Sequence, residues 1–215
     1  SMLFNVLEFC RAAGIKRLMF ASSREVYGNT VKIYRNEKDV QLGGCESPYS
    51  ASKMGGEAFV SAYQKCYGID YAIIRFSNVY GMYDDSERVV PLFIRLTRQG
   101  KDLTVFGKDK MLDFTYIDDA IAGVMKCVEG FEKAKNDVYN ISSTRGTSIT
   151  YLAEAIQKEM KAANKIVVQE PRTGEVIRFI GDITNAKNKL GYEPKVEIGE
   201  GIRKSIVWYS KNVRD

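Results

Sequence analysis

Two short apolar runs, residues 16–22 (Lys-Arg-Leu-Met-Phe-Ala-Ser) and 70–76 (Asp-Tyr-Ala-Ile-Ile-Arg-Phe), constrain the fold more than any other feature of the chain. Each suits a strand covered on both faces, and the stretch between them carries the signals of one long helix. Ser47 stands at the cap position, Pro48 at the first helical position, and Gly68 comes after Tyr67, where the helix is expected to stop. Strand, helix, strand in that order is a βαβ unit, with parallel strands and a right-handed crossover. Parallel strands deliver the loops at their carboxyl ends to the same edge of the sheet. Both runs lead into polar stretches, Ser22-Ser23-Arg24-Glu25-Val26-Tyr27-Gly28 and residues 77–88. That edge is where open α/β sheets hold their ligands.

The crossover helix opens Pro48-Tyr49-Ser50-Ala51-Ser52-Lys53, so Tyr49 and Lys53 fall four residues apart on one face. An ammonium beside a phenol favours the phenolate, which turns a group with a free pKa of about 10 into a usable proton acceptor. A lone Tyr-x-x-x-Lys is ordinary on a helix surface, so its meaning depends on what the rest of the chain brings to it. The chain has no histidine, which excludes a Ser-His-Asp triad, a histidine metal cluster and a histidine base together. Proton chemistry falls to Tyr, Lys, Glu or Asp. Cys10, Cys45, Cys66 and Cys127 are too scattered for a zinc site or a disulfide framework, so no metal is expected and a reducing cytoplasm is the expected compartment. The net charge of +5 is spread over both halves without a basic block. Anionic small molecules are therefore expected as partners and nucleic acid is not. No apolar run approaches the roughly 20 residues of a membrane span, so no membrane association is expected.

The remaining pattern alternates in the same way. A helix is expected over 3–13 before Gly14, and a loop over 29–45. Beyond the βαβ unit come a helix at 89–99, strands at 103–106 and 112–117 and a helix opened by Asp118-Asp119. Next are a strand at 138–141, a helix from Ser148 to about Ala162 capped by Ser148, strands at 166–169 and 177–180, and helices at 184–190 and 199–211. The class is α/β with a mostly parallel sheet.

Five stretches in order give this chain a likeness to a known family: Ala21-Ser22-Ser23-Arg24-Glu25-Val26-Tyr27-Gly28, Pro48-Tyr49-Ser50-Ala51-Ser52-Lys53, Arg75-Phe76-Ser77-Asn78-Val79-Tyr80-Gly81, Asp113-Phe114-Thr115-Tyr116-Ile117-Asp118-Asp119 and Arg172-Thr173-Gly174-Glu175. It resembles the extended short-chain dehydrogenase/reductases, within them the NAD-dependent epimerase/dehydratase group acting on nucleotide sugars. The resemblance implies a Rossmann-type sheet and a smaller C-terminal α/β subdomain for the substrate. It divides the chain into residues 1–82, with 112–143 returning to them, as a partial NAD-binding and catalytic domain, and 83–111 with 144–215 as the substrate subdomain.

The same resemblance implies roles. Ser23 matches the residue that hydrogen-bonds the sugar hydroxyl being oxidised, Tyr49 the acid/base that takes its proton, and Lys53 the residue that holds the nicotinamide ribose. Ala21, Ser22 and Phe76 stand with Tyr49 and Lys53 on the cofactor side. Asn78 matches a contact near the substrate phosphates, Arg172 a partner of the diphosphate, and Glu175 a contact to the nucleoside ribose. Val89, Thr104 and Phe106 fall where the family lines its base pocket, and Tyr27 and Tyr80 are expected to pack beside the site.

Two departures stand out. Leu112 occupies a place where many family members have an arginine, so Arg88 or Lys110 is expected to supply the phosphate contact. Arg24-Glu25 replaces the Asp-Glu pair of the 4,6-dehydratases, which weakens that reading, while Glu25 alone keeps dehydration or decarboxylation open.

Family members begin with a strand and a Gly-rich turn that holds the NAD diphosphate, and no Gly-x-x-Gly-x-x-Gly occurs here. The chain is therefore expected to correspond to the C-terminal two-thirds of such an enzyme and to be inactive alone. Three readings are open: a UDP-hexose 4-epimerase working through a 4-keto sugar, a dehydratase or decarboxylase of the same family, and a non-catalytic dimerising module. The resemblance also implies a homodimer through helices 3–13 and 48–67.

Overall fold

The computed structural model describes residues 2–213. In chain order its elements are α1 (Met2–Ala12), β1 (Arg17–Ser23), β2 (Tyr34–Arg35), α2 (Pro48–Tyr67), β3 (Asp70–Phe76), β4 (Asn78–Tyr80), α3 (Val89–Arg98), β5 (Leu103–Phe106) and β6 (Met111–Tyr116). The second half adds α4 (Ile117–Glu129), α5 (Phe131–Ala134), β7 (Asp137–Ile141), β8 (Gly146–Ser148), α6 (Ile149–Met160), β9 (Ile166–Gln169), β10 (Arg178–Gly181), α7 (Thr184–Leu190) and α8 (Ile198–Asn212).

The expected βαβ unit is present. β1 and β3 pair in parallel with Ser23 opposite Phe76, and β7 joins the far side of β3. Strand alternation explains the two covers of β3. Ile73 packs with Leu7, Cys10, Val60 and Tyr63 of α1 and α2, while Ala72 and Ile74 pack with Ala120, Cys127, Phe131 and Ala186 on the opposite face. This is a helix, sheet, helix sandwich. β1 differs from the expectation of full burial: its first five residues are exposed or half-buried, because among the described residues it pairs only with β3.

A second sheet runs β2-β10-β6-β4, all in parallel, with β8 antiparallel on β6. A two-stranded parallel pair, β5-β9, completes the set. Its core joins Phe93 and Ile94 of α3, Leu152 and Ile156 of α6, Ile202 of α8 and Leu103 and Val105 of β5. Ser148 caps α6 as expected, its Oγ accepting from Tyr151 N at 3.1 Å. The expected loop over 29–45 is not wholly irregular, since Tyr34–Arg35 adds a parallel strand beside β10. α5, β4 and β8 span only 3–4 residues each, too few for a period to declare itself. Among the described residues no helix is long and apolar enough to cross a membrane.

Gly28 fixes the route of the chain leaving β1. It closes a 3-10 turn over Arg24–Tyr27 with φ +60°, and a Cβ there would lie 1.8 Å from the Gly44 carbonyl oxygen. Gly55, inside α2, faces open space. Gly28→Ala is therefore expected to lower the unfolding free energy by more than ~1 kcal/mol, whereas Gly55→Ala raises it by about 0.5–1 kcal/mol. Urea denaturation of the two variants reads the contrast.

Candidate active site

A cavity of about 780 Å³ opens where β1 and β3 end and extends along β4, α3, β5 and the segment around Arg172. Ala21, Ser22, Ser23, Glu25, Tyr49, Lys53, Phe76, Asn78, Val89, Thr104, Phe106, Arg172 and Glu175 all line it. Residues dispersed over 155 positions thus meet at one edge, as parallel strands require.

The helix that carries the tyrosine is fixed at its start. Ser47 is extended at φ −149°, its Oγ accepts from Ser50 N at 3.2 Å, and Ser47 N donates to Ser50 Oγ at 3.1 Å. This reciprocal cap uses serine where a glutamate is usual. Tyr49 in the first turn remains 52% exposed. Lys53 donates from Nζ to the Ala21 carbonyl at 2.9 Å and lies 5.7 Å from the Tyr49 ring centroid. An ammonium has three donors, so two remain for ligand hydroxyls beside Tyr49. That donor set fits the ribose of a dinucleotide.

Ser23 Oγ accepts from Glu25 N at 3.2 Å, which caps the turn after β1 and leaves its hydroxyl proton for another acceptor. Ser22 lines the cavity, and its hydroxyl donates to Glu57 Oε1 at 2.5 Å. Glu57 also accepts from Arg75, Nε to Oε1 at 2.9 Å and Nη2 to Oε2 at 2.6 Å. Arg75 Nη1 donates to the Tyr27 hydroxyl and to the Glu37 carbonyl. Burial opposes the Arg75 charge, yet the Glu57 carboxylate outweighs it and holds the guanidinium above its ordinary value. Tyr27 hydrogen-bonds Asn140 Oδ1 at 2.6 Å, and burial pushes its phenol up to about 12. Tyr27 and Tyr80 are both buried, as packing residues should be.

Asn78 Nδ2 donates to the Asp113 carbonyl at 2.8 Å, and its Oδ1 accepts from Arg24 Nε at 3.3 Å. Asp113 is itself fully buried, its carboxylate accepting from the Ser142 hydroxyl and from the Ser143 amide and hydroxyl. Burial pushes its carboxyl up, and these hydrogen bonds oppose the shift. Alternation in β5 turns Leu103 and Val105 into the core and leaves Thr104 and Phe106 half-buried at the cavity. Arg172 lies 3.8 Å over the Phe106 ring centroid, exposed, with no ion-pair partner among the described residues. Lys110 is paired with Glu175 at 2.5 Å, which leaves Arg88 the more available of the two expected substitutes. Leu112 is buried in the core and lines the cavity as an apolar residue.

Two features were not read from the sequence. Glu57 extends the Tyr49, Lys53 spacing by one further step of four, so its place on the same face was visible, but its partner Arg75 was not. In the sequence Arg24 marks only the place of a missing aspartate. Its side chain is nine-tenths buried, Nη2 pairs with Glu25 Oε1 at 2.7 Å, and burial pulls its guanidinium below the ordinary value while Glu25 resists.

The family model described as GDP-mannose 4,6 dehydratase matches residues 2–205. A putative UDP-glucose 4-epimerase of Methanocaldococcus jannaschii is 33% identical over 217 residues, covering 98% of this chain and 68% of that protein. The crystal structure of UDP-glucose 4-epimerase with UDP-glucose from Thermotoga maritima superposes with a TM-score of 0.88 at 29% identity, over 99% of this chain and 69% of that one. UDP-glucuronic acid 4-epimerase from Bacillus cereus, in complex with UDP-glucuronic acid and NAD, gives a TM-score of 0.89 at 26% identity, over 97% and 66%. The chain spans between 51% and 68% of the length of the curated relatives it matches.

Removing one partner of a buried ion pair strands the other. Glu57→Leu is therefore expected to cost about 3–5 kcal/mol of stability, and a double variant with Arg75→Met to cost less than the single one. Urea unfolding of the two variants reads this coupling.

Proposed function

The chain belongs to the NAD-dependent epimerase/dehydratase family of extended short-chain dehydrogenase/reductases, and from that premise we propose that the whole protein is a nucleotide-sugar 4-epimerase of the UDP-hexose type. The observation that carries the reading is that Ser23, Tyr49 and Lys53 line one cavity together with Asn78 and Arg172. Lys53, with Tyr49, Ala21, Phe76 and Ser22, is the set that would hold NAD. When bound, NAD supplies reversible acceptance and return of hydride at the sugar carbon. Ser23 orients the sugar hydroxyl and Tyr49 takes and returns its proton, so that a 4-keto sugar forms, turns and is reduced on its other face. Arg172 pairs with the diphosphate through a planar fork of donors, and Glu175 takes the nucleoside ribose. Val89, Thr104 and Phe106 flank the base.

Dehydration or decarboxylation would need Glu25 as an acid, and Glu25 is engaged instead as the acceptor of the Arg24 ion pair at 2.7 Å. We further propose that residues 1–215, which lack a Gly-x-x-Gly-x-x-Gly turn, bind nucleotide sugar without turning it over. The protein pairs with a second copy through the outer faces of α1 and α2, where Met2, Val6, Phe9 and Phe59 are exposed together.

In the whole protein Tyr49→Phe is expected to lower kcat by ~10²–10⁴-fold with little change in substrate KM, and Glu25→Gln to have a small effect by comparison. Mass spectrometry of the products separates the chemistries, since epimerisation conserves mass and the alternatives lose water or carbon dioxide. A whole protein that interconverts no UDP-hexose or UDP-hexuronate overturns the proposal. Phe9→Glu combined with Phe59→Glu is expected to convert a dimer to a monomer in sedimentation velocity.

A further inference from the structure

Arg172 covers a surface that a ligand in the cavity would need. Its guanidinium carbon lies 3.8 Å above the centroid of the Phe106 ring, a stacking distance for two planar groups, and the side chain is exposed with no ion-pair partner among the described residues. Phe106 is half-buried beside Thr104 on β5, and both line the cavity. Of the other aromatic rings there, Tyr80, Phe93 and Phe114 are buried in the core, and Tyr49 and Phe76 belong to the Ser23 end, Phe76 standing opposite Ser23 in the β1-β3 register. Phe106 is therefore the platform on which a planar nucleobase would stack, and a planar group of the chain itself already rests on it.

The backbone is held on both sides of Arg172. Before it, Gly107 N donates to the Gln169 carbonyl at 2.8 Å. After it, Asn29 Nδ2 donates to the Glu175 carbonyl and Asn29 Oδ1 accepts from Ile177 N, each at 2.8 Å, while Lys110 pairs with the Glu175 carboxylate at 2.5 Å. Taking the guanidinium off the ring is thus a side-chain rotation and needs no opening of the loop.

We propose that Arg172 makes base recognition conditional on the diphosphate: its guanidinium occupies the Phe106 face until a diphosphate draws it away, so a nucleoside meets a masked platform and a nucleoside diphosphate unmasks it. The inference rests on the nucleotide-sugar reading and adds to it how the cavity rejects nucleosides. A cation on an exposed ring is held weakly, whereas a fork of N–H donors on phosphate oxygens makes charge-assisted hydrogen bonds about twice as strong as neutral ones. Stacking of the base on Phe106 then replaces the stack that was lost. A ligand without phosphate gains only the base stack and must displace Arg172 to reach it, so its apparent affinity is scaled down by the fraction of protein whose ring is uncovered.

The test titrates the whole protein with UDP by calorimetry and with uridine by ligand-observed NMR, which reaches weak dissociation constants. Arg172→Ala is expected to lower UDP affinity roughly tenfold or more and to raise uridine affinity about two- to fivefold. In a Phe106→Leu background, where no ring is left to mask, Arg172→Ala no longer raises uridine affinity. Lower UDP affinity with uridine affinity unchanged overturns the inference in favour of a plain diphosphate contact, and equal losses for both ligands overturn it in favour of a structural role; each leaves the nucleotide-sugar reading standing. A gain for uridine that persists in the Phe106→Leu background also overturns it, as does a lack of uridine binding to Arg172→Ala. Failure of the wild-type protein to bind UDP overturns the nucleotide-sugar reading and this inference with it.

Discussion

The ion pair between Glu57 and Arg75 holds the two halves of the site in register. Arg75 is the penultimate residue of β3 and Glu57 stands two turns beyond Tyr49 on α2, so their two hydrogen bonds fix the azimuth of the helix against the sheet. Ser22 joins the same carboxylate from the end of β1, and Tyr27 and the Glu37 carbonyl occupy Arg75 Nη1. Through Tyr27 the network reaches Asn140, whose amide nitrogen holds the Arg35 and Asp182 carbonyls and so ties the first sheet to the second. A buried charge pair is a poor source of net stability compared with apolar packing of equal volume, but it tolerates few geometries. Here the geometry it admits leaves Tyr49 and Lys53 lining the same cavity as Ser23.

Much of this was legible because the relevant signals are local. The cap Ser47, the proline after it and the closing Gly68, which takes the left-handed conformation at φ 64°, bound α2 without reference to anything distant. The apolar run of β3 declared a strand covered on both faces, and the opposed packing of Ile73 and Ile74 bears that out. What was not legible depends on partners far apart in the chain. β2 is a strand only because β10, about 145 residues later, passes beside it. The polar character of residues 29–45 reads as loop because a two-residue strand has no period. Likewise nothing local says that Ser22 gives its hydroxyl to Glu57 rather than to a ligand, or that Arg24 folds inward to Asn78 when a charged turn residue would ordinarily stay in water.

The distribution of hydrogen-bonding capacity separates scaffold from site. Arg75 and Asp113 are buried charges surrounded by protein partners, and both act through others: Arg75 orients α2, and Asp113 fixes Asn78 through its carbonyl. Their neighbours at the cavity are different. Lys53 has one protein acceptor for three donors, Tyr49 has its ring in the open, Arg172 rests on an aromatic face without a carboxylate among the described residues, and Arg24 has a buried amino group with no acceptor. Polar groups left short of partners in a folded chain cost stability, on the order of 1–3 kcal/mol when buried. Tyr49 and Arg172 are exposed, and buried atoms without a partner among the described residues occur also at Arg35 and Thr97 away from the cavity, so it is the convergence of these side chains on one cavity, not a shortage of partners alone, that fits a ligand with hydroxyls and several negative charges. Lys53, with two ammonium donors unused by the protein beside the exposed Tyr49, is where a bound ligand would complete the hydrogen bonding of the chain.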